Sequence, residues 1–230
     1  MDVSKEAEIV RRTKSAALET RIAILDAAER VFFAQGVGQT SLTQIAADAN
    51  VTRGAIYWHF TGKLALVRAM QERAYQPQQE FIEARDLVND PNPLGALHQV
   101  TVESIARFAA DERAKRVYTI MTMRCELVGE MEEAVLCYRD AEDRMRATIA
   151  AVFEQARRHG DLDPNWTPET ALEACVCVFN GLFNNWLLSR EGFDLVAVGS
   201  LVVDALFDRF RASAKREDAP LRSVSLQAAG

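Results

Sequence analysis

Residues 41–63, SLTQIAADANVTRGAIYWHFTGK, decide the fold. Ser41 precedes an apolar-periodic run, and Gln44 three residues later completes the pattern of a capping box. Leu42, Ile45 and Ala46 then share one helical face. Asn50 ends that helix, being among the few non-glycine residues that tolerate left-handed backbone. Thr52 opens a second short helix that closes near His59, with Thr61-Gly62 as the following turn. Ile45, Ala46 and Ala49 supply the small and aliphatic contacts by which one helix crosses the other, and Val51 and Ile56 anchor the second. Its opposite face stays free to enter the major groove of DNA, as the second helix of a helix-turn-helix does.

The free face carries matching chemistry. Arg53 is the one charged residue on that helix, and arginine paired bidentately with guanine is the commonest specific base contact. Gly54 costs about 1 kcal/mol against alanine inside a helix. Either a close backbone approach to DNA or a tight helix crossing would account for it. Tyr57 can reach a phosphate or a thymine methyl, while Thr40 and Lys63 flank the motif where phosphates would run. Phosphate contacts position such a module and base contacts specify sequence. The expected DNA-contacting set is Thr40, Ser41, Thr52, Arg53, Gly54, Tyr57, Trp58, His59 and Lys63, with Phe60 in the core and His59 no metal ligand.

Working outward, apolar residues recur at three- and four-residue intervals and no segment alternates like a strand. The fold class expected is all-α, with about nine helices. The first runs from about Ser15 to Gln35, its inner face formed by Ile22, Leu25, Ala28 and Phe32, with Gly36 as a left-handed cap. After the helix-turn-helix, Lys63 opens a long helix to about Leu87, which Asn89-Asp90-Pro91-Asn92-Pro93 breaks. Helices follow at about Leu94–Ala109, Glu112–Arg124 and Met131–Arg158, the last stopped by Gly160. Thr167 and Pro168 start another, to about Ser189. The last spans about Asp194–Arg211. Domain boundaries are expected at 1–63 for the arm and DNA-binding domain and 64–211 for the larger domain, with a disordered tail over 212–230.

The net charge of −6 argues against nucleic acid only until its distribution is read. Residues 1–73 hold ten Lys/Arg against eight acids, or +2, which leaves −8 for the remainder. An acidic body with a mildly basic end fits a protein that touches DNA through one module. Cys125, Cys137, Cys175 and Cys177 lack zinc-type spacing and read as thiols in a reducing cytoplasm. The stretch Ala171–Leu188 is interrupted by Glu173, Asn180, Asn184 and Asn185, so no membrane span is expected. No phosphate loop, nucleophilic triad or metal-spaced cluster appears; no enzyme activity, cofactor or metal is expected. The last two helices are apolar on consecutive positions, at Cys175-Val176-Cys177-Val178-Phe179 and Leu201-Val202-Val203. Helices apolar all round need cover on every side, and a second copy is the natural cover. Cys175, Val178, Leu182, Trp186, Val202, Leu206 and Phe210 are the expected interface of a homodimer.

Residues 14–63, with Thr40-Ser41-Leu42, Ile45-Ala46, the run from Val51 to Phe60 and Lys63, resemble the TetR/AcrR family of bacterial regulators. Asn50 stands where that family usually has glycine. The C-terminal part is similar to AcrR-type repressors of multidrug efflux pumps, at Pro93-Leu94-Gly95, Arg124-Cys125-Glu126, Gly181-Leu182, Asn185-Trp186-Leu187-Leu188 and Phe193-Asp194-Leu195. The resemblance implies a three-helix DNA-binding domain and a helical domain for dimerisation and ligand binding. It implies double-stranded operator DNA and a small-molecule inducer as partners. By the family pattern the inducer would be lined by Met70, Ala74, Thr101, Ile105, Tyr118, Met121, Thr122, Met145, Ile149, Val176, Phe179, Asn180 and Phe183. An apolar wall with a few polar groups and adaptable methionines suits aromatic or amphipathic molecules. The competing expectation is a repressor of a metabolic operon, which would carry a buried charged clamp for a specific metabolite.

Overall fold

The computed structural model describes residues 3–125 and 132–212, and side chains over 14–125 and 143–212. The described residues form nine helices: α1 Val3–Gln35, α2 Leu42–Asp48, α3 Arg53–His59, α4 Lys63–Glu83, α5 Pro93–Ala110, α6 Glu112–Met123, α7 Glu132–Arg158, α8 Pro168–Leu188 and α9 Leu195–Phe210. The expected starts and stops follow the local signals closely. Ser41 and Gln44 form a reciprocal capping box, and Thr52, Asp111, Thr167 and Asp194 each accept a backbone N–H as N-caps. Gly36, Asn50 and Gly160 take positive φ of 84°, 53° and 70°.

Some expectations are corrected. α1 begins well before Ser15, at Val3. α4 ends at Glu83, so Leu87 is buried outside any helix. Ile22, expected on the inner face of α1, is exposed, whereas Leu25, Ala28 and Phe32 are buried. The expected tail lies outside the described residues beyond 212.

The chain packs as two compact units. Unit one comprises residues 1–85 and 107–145, and unit two the remainder. α4 and α6 pack on α1 in the same unit as α2 and α3. Ile24, Leu25, Phe32, Ile45, Ile56, Leu66, Met70 and Ile120 lie fully buried in one apolar cluster.

An ion network runs beside that cluster. Glu29 on α1 is 1 % exposed and accepts from Arg73 Nη2 of α4. Arg113 Nε and Arg116 Nη1 of α6 lie 3.5 and 3.4 Å from the same carboxylate. Arg73 Nη1 also meets Asp26 Oδ1 at 2.8 Å. A second tie joins the end of α6 to the turn after α1. Val37 N–H donates to Arg124 O at 2.9 Å, and the Arg124 guanidinium lies 5.1 Å from the Phe33 ring centroid.

Unit two is built around Phe210, whose ring meets Phe153, Trp166 and Phe207 edge-on at 5.0, 4.9 and 5.4 Å. Gly199 lets α9 close on α5, since a Cβ there would stand 3.0 Å from Ile105 Cδ1. α8 is long and apolar enough to cross a membrane by length and composition. Its Ala171, Leu172, Cys175 and Trp186 nevertheless bury in the unit's own core, and Glu173 pairs with Arg146. Burial pushes the Cys175 thiol up to about 12, while Cys177 on the same helix is exposed.

Removing one partner of a buried ion pair leaves uncompensated charge, at a cost of about 3–5 kcal/mol. Glu29→Ala is expected to lose stability on that scale in a denaturant titration. Asp26→Ala, at a partly solvated position, is expected to lose under about 1 kcal/mol.

Candidate nucleic-acid interface

The interface is built on α3. Thr52 Oγ1 accepts from Ala55 N at 3.1 Å, satisfying an orphan donor of the first turn. Ile56 is fully buried and Phe60 nearly so, and Val51 packs against the same cluster. This inner side fixes the helix on α1 and α2, and Arg30 of α1 bonds Asp48 of α2 at 2.7 Å. Thr52, Arg53, Gly54, Tyr57 and Trp58 are exposed together on the outer side. Trp58 is 73 % exposed, an unusual state for the largest apolar side chain.

Arg53 and Tyr57 are already paired. Arg53 Nη2 donates to Tyr57 Oη at 2.9 Å, and its guanidinium lies 5.4 Å from the ring centroid. The pair is one helical turn apart, so it holds the arginine along the exposed face while leaving further N–H donors of the fork available. Gly54 is not required by a helix crossing. A Cβ there would meet Thr52 Oγ1 alone, at an ordinary 3.7 Å.

His59 is half-buried, its ring edge-on to Trp58 at 4.5 Å. Desolvation, then the positive charge of Arg21, lowers its pKa from the usual 6.5. Both effects favour the neutral ring.

Two of the expected contacts have partners within the subunit. Thr40 is 2 % exposed and its hydroxyl donates to Gly36 O at 2.7 Å, so it closes the α1–α2 turn instead of facing a phosphate. Lys63 Nζ donates to Val37 O at 2.9 Å and Gly38 O at 3.3 Å, clamping the same turn. Ser41 is exposed, but its side chain is engaged in the α2 cap.

The expected ligand-lining residues fall in both units. In unit one, Met70, Ala74 and Met121 are buried in the same cluster; buried Tyr118 meets Phe108 edge-on at 5.5 Å. Thr122 is exposed, with its hydroxyl donating to Tyr118 O at 2.9 Å, and Met145 is exposed. In unit two, Thr101 and Ile105 are buried, whereas Ile149, Val176, Phe179 and Phe183 are half-buried and Asn180 is exposed. The Phe179 and Phe183 rings lie 5.8 Å apart. Of the expected interface residues, Cys175, Trp186 and Phe210 belong to the core of unit two, with Trp186 Nε1 donating to Phe193 O at 2.9 Å. Val178, Leu182, Val202 and Leu206 are half-buried. Sequence reading missed Glu29, although it sits on the inner stripe four residues after Leu25 and three before Phe32, where a carboxylate needs a partner.

A capped, inward-anchored short helix that offers Arg, Gly, Tyr and Trp outward defines a helix-turn-helix DNA-binding protein. Residues 24–70 match the family of bacterial regulatory proteins of the tetR type, and residues 92–212 match the C-terminal region of MAATS-type transcriptional repressors. This chain belongs to the TetR family of transcriptional regulators. It is 42% identical to the HTH-type transcriptional repressor BepR of Brucella suis over 205 residues, 89% of this chain and 98% of that protein. Its fold is similar to that of NalD, the secondary repressor of the MexAB-OprM multidrug efflux pump in Pseudomonas aeruginosa, with a TM-score of 0.78 and 32% identity over 86% of this chain and 99% of that one. It is also similar to SmeT, the repressor of the Stenotrophomonas maltophilia multidrug efflux pump SmeDEF. For SmeT solved in complex with triclosan the TM-score is 0.73 at 27% identity, over 85% of this chain and 93% of that one.

Loss of the α3 cap in Thr52→Ala is expected to cost about 1 kcal/mol, read by thermal unfolding. The depressed His59 pKa means the unfolded chain takes up a proton before the folded one does. Stability through this group is present above pH 6.5 and is lost as pH falls towards the lowered folded value. His59→Gln is expected to flatten the decline of the unfolding midpoint just below that pH.

Proposed function

We propose that this chain is a homodimeric repressor of a multidrug efflux operon, acting in the cytoplasm and released from its operator by a small apolar or aromatic molecule. The observation that carries the DNA part is Gly54. It lies on the exposed side of α3 between Arg53 and Tyr57, and no neighbour in the subunit requires it. Arg53 would read a guanine edge, Tyr57 and Trp58 would bear on the sugar-phosphate backbone or a thymine methyl, and Gly54 would let the helix backbone approach. Thr52 and Ser41 stand at N-termini of helices, where backbone N–H groups suit phosphates.

The dimer rests on what unit two leaves uncovered. Leu188, Val196, Val198 and Leu201 are exposed on α8 and α9, beside half-buried Val178, Leu182, Val202 and Leu206. An apolar face of this extent on two neighbouring helices suits a self-complementary two-fold contact. Two copies would present two α3 helices to half-sites about one DNA turn apart. The efflux assignment is supported by the similarity to NalD and SmeT, both repressors of multidrug efflux pumps. The metabolite alternative needs a free buried charge; of the buried charges among the described residues, Glu29 and Lys115 are paired within unit one, and in unit two Asp163 accepts from Asn165 and Asp161 is likewise engaged.

In a mobility-shift assay the protein is expected to retard its own upstream intergenic DNA, with Arg53→Ala weakening the complex by tenfold or more. Failure to retard that DNA, or equal retardation by wild type and Arg53→Ala, would overturn the reading. Leu201→Glu is expected to turn a dimer into a folded monomer in light scattering, and to lose operator binding with it.

A further inference from the structure

Four arginines of unit one are held by carboxylates: Arg30 by Asp48, Arg73 by Asp26 and Glu29, and Arg113 and Arg116 by Glu29. Arg53, on the exposed side of α3, is held instead by the neutral hydroxyl of Tyr57. The guanidinium bonds that oxygen at 2.9 Å and lies 5.4 Å from the centroid of the same ring, so hydroxyl and ring act together on one cation. The difference from an ion pair is physical. A carboxylate would cancel the charge and repel phosphates, whereas a hydroxyl leaves the full positive charge at the surface. A carboxylate also commonly takes two donors of the fork, and the hydroxyl takes one of five. An exposed arginine that nothing holds spreads over many rotamers, and ordering it on binding costs free energy.

We propose that Tyr57 is a positioning residue that sets specificity for guanine, its hydroxyl holding Arg53 ready for the base edge. The proposal rests on the operator-binding reading above and deepens it. Arg53 opens α3, and the N-terminal end of a recognition helix is the part that reaches base edges. One N–H of Nη2 goes to Tyr57 Oη, which leaves the other N–H of Nη2 and those of Nη1 to meet guanine O6 and N7 as a pair. Gly54, next in the chain, brings no side chain to obstruct the fork. A guanidinium without this hold pairs as readily with a phosphate oxygen, a contact blind to sequence. Tyr57 therefore acts through Arg53: it converts a mobile cation, able to bind any duplex, into a group preset for one base.

The test is fluorescence anisotropy of the full-length protein with its own upstream intergenic DNA, made once with guanine and once with 7-deazaguanine. The analogue keeps base pairing and lacks the N7 acceptor. Wild type is expected to bind the guanine fragment about tenfold more tightly or better. Arg53→Ala is expected to bring that ratio to within about twofold, which ties the discrimination to Arg53. Tyr57→Phe keeps the ring and removes only the hydroxyl. It is expected to lower the ratio by about threefold or more, and to change affinity for the 7-deazaguanine fragment by less than about twofold. Its helical circular dichroism spectrum should be kept. Equal weakening of both fragments by Tyr57→Phe would assign the hydroxyl to a phosphate and overturn the proposal, as would an unchanged ratio. Binding of neither fragment by wild type sinks the repressor reading and the proposal with it, whereas binding of both without discrimination sinks the proposal alone.

Discussion

Unit one depends on a single buried carboxylate. Glu29 lies on α1, and the guanidinium groups that balance it come from α4 through Arg73 and from α6 through Arg113 and Arg116. A carboxylate this deeply buried is tolerated only while its partners hold good geometry. The three helices are therefore restricted in how far they can slide on one another. Apolar contacts alone would not impose this, because they are non-directional. The recognition helix inherits the restriction: α3 is seated on α1 and α2 by Ile56, Val51 and Phe60.

The turn between α1 and α2 is the second point of control. It receives a backbone hydrogen bond from Val37 to Arg124 at the end of α6, a lysine clamp from the start of α4, and an internal bond from Thr40. Both helices that meet Glu29 also reach this turn. On the proposed reading, an inducer that favours a different pose of α4 or α6 must strain directional, charge-assisted bonds that end on the DNA-binding helices. A ligand shifts such an equilibrium only by its differential affinity for the two poses.

Much of this was legible in the chain because it is local. Ser41 with Gln44, Thr52 and Thr167 announce helix starts through their own side chains, and Gly36, Asn50 and Gly160 announce stops through the backbone they tolerate. Ile56 and Phe60 declare the inner side of α3 by spacing, which leaves Arg53 and Tyr57 outside. Other roles were illegible because they depend on what comes from far along the chain. That the Lys63 ammonium bonds the carbonyls of Val37 and Gly38, some 25 residues back, could not be read from its place in the motif. Cys175, Trp186 and Phe210 have the spacing of interface residues, but they are buried within unit two, Trp186 bonded to Phe193 O and Phe210 ringed by Phe153, Trp166 and Phe207. Ile22 has the spacing of a core residue but is 43% exposed.

The sequence by itself determined the helices, their ends and the helix-turn-helix, since caps, breakers and a 3.6-residue period act within one or two turns. It also determined which residues α3 can offer to DNA. Only the tertiary structure decided which polar groups are spent inside the subunit and which remain available. Glu29, Thr40 and Lys63 are spent, whereas Arg53 keeps donors free. The physical reason is that a hydrogen bond or ion pair belongs to two groups, and here the second group can lie far along the chain, as Arg116 lies 87 residues from Glu29 and Asp204 lies 106 from His98.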